Sequence, residues 1–326
     1  MIAITGAAGF LGSALARELL AGDERVRAIA RKSSPMTALV GLDVELVTAE
    51  LDDERSLARA FEGARAVCHA AGRVSLCRGE WPELYRSNVE GTKAVLGAAQ
   101  AAGVRRLVYI SSIEALDMAG ASGPITEAAS LVGEDGAMEY GRSKSLATQA
   151  VLAASKAGFE TLAVYPTAVM GPLDFRTSSL GSMVRDFAAG ALPAIIDGGF
   201  DFVDTRDVAR GIELALRSGR PGEGYILGGR YAEIGELMAI LERLSLRRGP
   251  RLKLPQWTAK AVAPWAELYY RATRRPARFT RYSVALLASR YEVDSTKAKR
   301  ELGYSARALE ETLADTLDWF RTQARG

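Results

Sequence analysis

Histidine is almost absent from this 326-residue chain, with His69 its single instance. A single histidine argues against a histidine-based nucleophilic triad or a multi-histidine metal centre as the organising chemistry. Cysteine is nearly as scarce. Cys68 and Cys77 offer neither a disulfide framework nor metal-ligand spacing, so a reducing, cytoplasmic setting is expected. No uncharged run approaches the length that spans a bilayer, and the first strand pattern begins at residue 2, where a leader would need a charged region. An excess of one charge is lacking too: 42 basic against 39 acidic residues leave +3, too little to expect a nucleic-acid partner. Repeats and low-complexity tracts are missing. Asparagine occurs once, at Asn88.

What is present is a rhythm. Apolar strand patterns at 2–5, 26–30, 44–48, 65–70, 107–111 and 161–165 alternate with helical patterns at 11–21, 53–62, 83–102 and 140–157. Continuous apolar strands alternating with helices indicate a parallel sheet covered on both faces. The expected class is α/β: a doubly wound parallel sheet with a smaller, interleaved α-rich lobe. Residues 1–171 plus 200–227 are assigned to a dinucleotide-binding lobe, and 172–199 plus 228–326 to a substrate lobe.

The stretch TGAAGFLG, Thr5 to Gly12, joins the first strand to the first helix, with glycines at 6, 9 and 12. A helix N-terminus presents unpaired N–H groups and a positive dipole end to a phosphate, and glycines let the backbone approach it. A cofactor with a free ribose 2′-hydroxyl usually meets an acidic side chain at the end of the second strand. Ala30 holds that slot here, followed by Arg31 and Lys32. Two cations there would pair with a 2′-phosphate, so NADP(H) is expected in preference to NAD(H).

Tyr140 and Lys144, in EYGRSKSLA, share one face of a helical pattern. A phenol titrates near ~10 and needs roughly 4 kcal/mol of phenolate stabilisation to work near neutrality. One ammonium at about 4 Å supplies something of that order. Ser111 and Ser112 end the strand pattern RLVYIS, at the carboxyl edge where an open α/β sheet places its ligand.

Taken together, TGAAGFLG (5–12), HAAG (69–72), NVEGT (88–92), SSIEA (111–115), YGRSK (140–144), YPTAVMGP (165–172) and FVDTRDVA (202–209) resemble the extended short-chain dehydrogenase/reductase family. The likeness is strongest to its branch of 3β-hydroxysteroid dehydrogenases, dihydroflavonol reductases and hopanoid-associated sugar epimerases. The resemblance implies a catalytic set of Ser112, Tyr140 and Lys144. It implies cofactor contacts at Gly6, Ala8, Gly9, Phe10, Leu11 and Gly12, and at Arg31, Lys32, Glu50 and Leu51. Further contacts are implied at Ala70, Ala71, Gly72, Asn88, Ser111, Tyr140, Lys144, Tyr165 and Pro166. Glu50 departs from the family's aspartate at the adenine. His69 itself reads as a strand-end residue bonded to backbone.

Three activities are open to such a chain. It reads first as an NAD(P)-dependent ketone reductase or alcohol dehydrogenase acting on a small, rather apolar molecule. A nucleotide-sugar epimerase or dehydratase with tightly held NAD is the alternative, disfavoured by Ile113 before Glu114 and by the lack of asparagine after Asn88. A non-catalytic cofactor sensor is disfavoured by the retention of Tyr140 and Lys144. Trp257, Ala261, Trp265, Leu268 and Tyr269 form an apolar helical stripe, followed by Arg271, Arg274, Arg275, Arg278 and Arg281. Core packing or a homodimer face is expected of that stripe, with a peripheral membrane contact as the other option. ALPAIIDGGFDF (191–202) reads as a pocket wall, and Asp207 as a helix N-cap.

Overall fold

The computed structural model describes residues 1–118, 123–136, 138–250, 252–273, 280–288 and 290–323. Its strands are β1 (Ile2–Thr5), β2 (Val26–Ala30), β3 (Val44–Thr48), β4 (Ala66–His69), β5 (Arg106–Ile110), β6 (Glu160–Pro166), β7 (Ala168–Met170), β8 (Ala194–Ile196), β9 (Gly199–Asp204), β10 (Gly224–Leu227), β11 (Arg230–Glu233) and β12 (Leu252–Leu254). The helices of the first half are α1 (Phe10–Ala21), α2 (Glu54–Phe61), α3 (Trp81–Leu84), α4 (Gly91–Ala101) and α5 (Glu139–Lys156). Those of the second half are α6 (Ser179–Ala189), α7 (Thr205–Ser218), α8 (Ile234–Ser245), α9 (Gln256–Thr273), α10 (Arg281–Ala288), α11 (Thr296–Leu302) and α12 (Leu309–Gln323).

Seven strands form one parallel sheet in the order β10-β6-β5-β4-β1-β2-β3. Every residue of β1 is buried, which is why its apolar run does not alternate with polar residues. Ile2 and Ile4 face a core shared with α1 and α7, while Ala3 faces the core beneath α2 and α4. A sheet covered on both faces is the Rossmann-like arrangement expected from the sequence. Chain order reverses between β1 and β4, and the loops leaving their carboxyl ends open a crevice there.

A second core collects Met170, Val184, Phe187, Phe202, Leu237 and Leu313 from elements beyond the main sheet. Residues 199–204 differ from expectation. β9 does not join the main sheet but pairs with β7 and, antiparallel, with β11. Phe202 is drawn into the second core, while Val203 faces the first, so the strand straddles both. Residues 191–202 accordingly supply β8 and most of β9, and Ile195 lies in the second core.

Asp207 is not the N-cap of α7. Asp204 is, accepting a bond from the Arg206 N–H at 2.8 Å. Asp207, one turn in, accepts from the Arg307 N–H and from its Nε and Nη2 at 2.8–2.9 Å, tying α7 to the approach to α12. Two aspartates three residues apart gave the same local signal, and only tertiary contacts separate them.

Candidate active site

The β1–α1 loop is built around close backbone approach. Gly6 sits at φ +72°, and a methyl group there would lie 2.7 Å from the Ala71 nitrogen. A methyl on Gly12 would collide with the Gly6 carbonyl oxygen. The Gly6–Gly12 loop and the Ala70–Gly72 loop are thereby seated against each other, the second held also by Ala70 N–H donating to the Thr5 carbonyl at 3.1 Å. Gly9 is the N-cap of α1, with no side chain capping that end and no acidic residue in the first turn. The N–H groups at Phe10, Leu11 and Gly12 lack a side-chain acceptor, which fits a diphosphate. Ala8 is buried behind the turn.

At the end of β2, Arg31 and Lys32 are exposed, and neither side chain is held in an ion pair among the described residues. Glu50 accepts from the Lys32 N–H at 3.3 Å, so its carboxylate is turned toward the same corner. Leu51 packs on Gly91.

Ser112 ends β5 and caps the short turn Ile113–Ala115, its hydroxyl accepting from the Glu114 N–H at 3.3 Å. The same hydroxyl is close enough to the phenol of Tyr140 to act on its ionisation. Tyr140 and Lys144, one turn apart on α5, are both buried. The close approach of α5 to the Ser112 turn depends on Gly141, where any side chain would strike the Glu114 carbonyl. Ser112, Tyr140 and Lys144 thus lie on the β5–α5 side of the crevice, at the turn after β5 and on the first turns of α5.

Their electrostatics differ from the expectation that the ammonium lowers the phenol. Burial first, and then the Glu114 carboxyl, push the Tyr140 phenol above its ordinary value, and the nearby Ser112 hydroxyl pulls it back only in part. The Lys144 ammonium is turned elsewhere, donating to the Ile110 carbonyl at 2.8 Å and to the Tyr109 hydroxyl at 3.2 Å. Burial lowers Lys144 itself to about 7. Glu114 was not among the expected site residues. Burial raises its carboxyl to about 8, and its Oε2 has no hydrogen-bond partner. In the sequence it is one glutamate after a strand, and only its burial beside Tyr140 marks it.

Asn88 lies in a π-helical turn, Tyr85–Glu90, between α3 and α4. Such turns frequently occur at functional sites. Its amide accepts from the Arg73 N–H at 2.7 Å and donates to the Arg73 carbonyl and the Ser143 hydroxyl, each at 2.9 Å. A methyl on Gly72 would lie 3.1 Å from the Asn88 Oδ1 and 3.6 Å from the Lys144 Nζ, so the three residues converge. His69 bonds side chains, not backbone. Its Nδ1 lies 2.7 Å from the Thr5 hydroxyl and its Nε2 lies 3.0 Å from that of Thr92. Thr92 spends its one proton on the Asn88 carbonyl, so Nε2 carries the imidazole hydrogen and Nδ1 accepts from Thr5. Burial, followed by repulsion from Lys144, lowers His69 to about 3, and it stays neutral.

Two expected cofactor side chains face away. The Ser111 hydroxyl bonds that of Thr148 at 2.7 Å and ties β5 to α5. Tyr165 is packed in the core against Gly224, leaving the backbone at Tyr165–Pro166 as what the end of β6 can present. The aromatic stripe is corrected as well. Trp257 and Trp265 are 72% and 73% exposed, not core, because α9 turns Ala259 and Ala263 inward. Arg274, Arg275, Arg278 and the side chains of Leu268, Tyr269 and Arg271 lie outside the described residues.

Comparison with known proteins follows this geometry. The model of the NAD dependent epimerase/dehydratase family matches residues 2–228. Sterol demethylase protein B of Methylococcus capsulatus is 37% identical over 98% of this chain and 97% of its own. A putative dihydroflavonol 4-reductase of Synechocystis sp. is 31% identical, over 98% and 94%. A dTDP-glucose 4,6-dehydratase of Streptomyces venezuelae, solved with NAD bound, superposes with a TM-score of 0.80 at 26% identity, covering 99% of this chain and 98% of that one.

Proposed function

The chain belongs to the NAD-dependent epimerase/dehydratase family, and we propose that within it the protein is an NADP(H)-dependent reductase or dehydrogenase of an apolar ketone or alcohol. The observation that carries this reading is the surroundings of Tyr140. Its ring is packed with Leu84 and Tyr282, and Leu76, Met138 and Leu286 join the same cluster. A sugar nucleotide calls for polar partners, whereas these walls suit an apolar body beside the phenol. The relatives named for a sterol and for dihydroflavonol support the same substrate class.

The nicotinamide, when bound, supplies or accepts the hydride. The residues of this chain handle the rest. Tyr140 holds the proton exchanged with the substrate oxygen, and Ser112, beside that phenol, orients the same oxygen. Lys144 and Asn88 border Gly72, where the ribose of the cofactor would be held. Arg31 and Lys32 are free to pair with a 2′-phosphate. His69 stays neutral and structural.

Titration of the purified protein with NADPH and NADH, followed by turnover on a panel of apolar ketones, tests the reading. NADPH is expected to bind more tightly, and Arg31→Ala to bring it down to the NADH level. Tyr140→Phe is expected to lower turnover by about 10²- to 10⁴-fold with NADPH binding retained. Tightly retained NAD that ignores Arg31→Ala would overturn the proposal in favour of the epimerase or dehydratase reading.

A further inference from the structure

Leu252, Trp257, Val262 and Trp265, exposed by 56%, 72%, 55% and 73%, crowd into β12 and the first half of α9. Their exposure has a local cause. α9 packs through the small side chains Ala259 and Ala263 against Val284 of α10 and Ile196 of β8. That seam leaves Trp257, Ala261 and Trp265, at four-residue spacing, on the opposite side of the helix. Single exposed apolar residues are ordinary, but two indoles on one unpartnered face mark a contact surface.

The charged residues around this face are mainly basic, with exposed Asp197, just beyond β8, as an acidic neighbour. Lys253 and Lys260 are exposed, and neither is ion-paired among the described residues. Glu267, the acidic residue of α9, is engaged by Arg281 at 3.6 Å. Along the sequence, 268–291 adds Arg271, Arg274, Arg275, Arg278, Arg281 and Arg290 without one acidic residue.

We propose that the outer face of α9 docks on an anionic phospholipid surface. Trp257 and Trp265 enter at headgroup depth while Lys253 and Lys260 meet the lipid phosphates. A bilayer of that charge supplies both an apolar layer and the counter-charge, which is the pairing an interfacial amphipathic helix uses. A second copy of this chain fits less well, because burying this face against itself would take Lys253 and Lys260 of both copies out of water with few acidic partners. No helix among the described residues is long and apolar enough to cross a membrane, so the contact is with the surface. α9 rests on α10, whose Tyr282 and Leu286 pack with Tyr140, so the docked face backs onto the wall of the candidate site. Docking itself does not depend on which substrate is turned over.

The test is co-sedimentation of the full chain with phosphatidylcholine vesicles made with and without phosphatidylserine, at low and high salt. Binding is expected with phosphatidylserine only, released by salt, and accompanied by a blue shift of tryptophan emission. Trp257→Ser/Trp265→Ser is expected to lower partitioning by about tenfold or more. Lys253→Glu/Lys260→Glu should abolish the preference for the anionic lipid. Both double variants lie on the exposed face, and unchanged circular dichroism with NADPH binding equal to that of the unaltered chain shows the fold intact. Failure to sediment with phosphatidylserine vesicles overturns the proposal. So does vesicle binding that survives the double tryptophan change. If that variant instead splits an oligomer into monomers and the parent never binds vesicles, the face is a subunit interface and the proposal fails.

Discussion

Glu114→Gln isolates one buried proton. Burial raises this carboxyl from 4.5 to about 8, so the folded chain holds a proton that the unfolded chain releases between those values. A carboxyl raised on folding stabilises the protein below its unfolded value, and that stability is lost as pH climbs through the window. At about 1.4 kcal/mol per pH unit, the loss across it is of order 5 kcal/mol, a large fraction of the ~5–15 kcal/mol that holds a domain folded. Glutamine has the shape of the neutral acid and does not titrate. His69, lowered to about 3, works in the opposite sense, adding stability as pH rises toward its ordinary value of 6.5. That contribution is common to both proteins and cancels in their difference. Urea unfolding of each, followed by tryptophan fluorescence at intervals from pH 5 to pH 8, yields the difference curve. It should slope against the unaltered protein by roughly 1 kcal/mol or more per pH unit over most of the range. A flat difference refutes the argument, since it requires Glu114 to titrate alike in both states.

Asn88→Ala leaves the Arg73 N–H and carbonyl and the Ser143 hydroxyl without the partner they have now. Ser143 keeps its bond to the Tyr140 carbonyl and exposed Arg73 can turn to water, so the cost is about 1–3 kcal/mol in all, and scanning calorimetry should show a melting temperature lower by a few degrees. Asp207→Ala breaks the anchor to Arg307 and should destabilise the fold by about 2–4 kcal/mol. Titration should find its NADPH affinity unchanged, because Asp207 ties elements together and does not line the crevice.

The parts of the fold legible in the sequence are those where one local pattern admits one structure. The apolar run of β1, the three glycines and the helix that follows specify one another, and the loop is where they placed it. Six of the seven parallel strands follow from buried runs that do not alternate, while β3, at the sheet edge, is largely exposed. Beyond that, the pattern is degenerate. FDFVDT alternates as a strand of either lobe does, and only the pairing with β7 and β11 assigns it. Residues 83–102 read as one helix, and nothing in the spacing reveals the π-turn that aims Asn88 at the Ala70–Arg73 loop. Motif order brought Ser112, Tyr140 and Lys144 near one another because each is fixed to a strand end or helix face. It does not say where the side chains of Ser111 and Tyr165 turn, since alternate residues at a strand end point to opposite faces.

The three titratable groups beside the crevice constrain one another, and this sets an alkaline limit on proton transfer. Glu114 acts on Tyr140 through its charge: while protonated it leaves the phenol alone, and once ionised it adds a negative charge that opposes formation of the phenolate. Its loss of a proton near 8 therefore makes Tyr140 a harder group to ionise at the pH where added hydroxide would otherwise help. Lys144, lowered to about 7, loses its cationic form over the same range, and with it the positive charge one turn from the phenol. Both changes act in one direction. If Tyr140 transfers the proton, kcat/KM should fall above about pH 8, and Glu114→Gln should soften that fall without removing it, because Lys144 still titrates. An alkaline limb identical in the two proteins would assign the fall to Lys144 and leave Glu114 a structural acid.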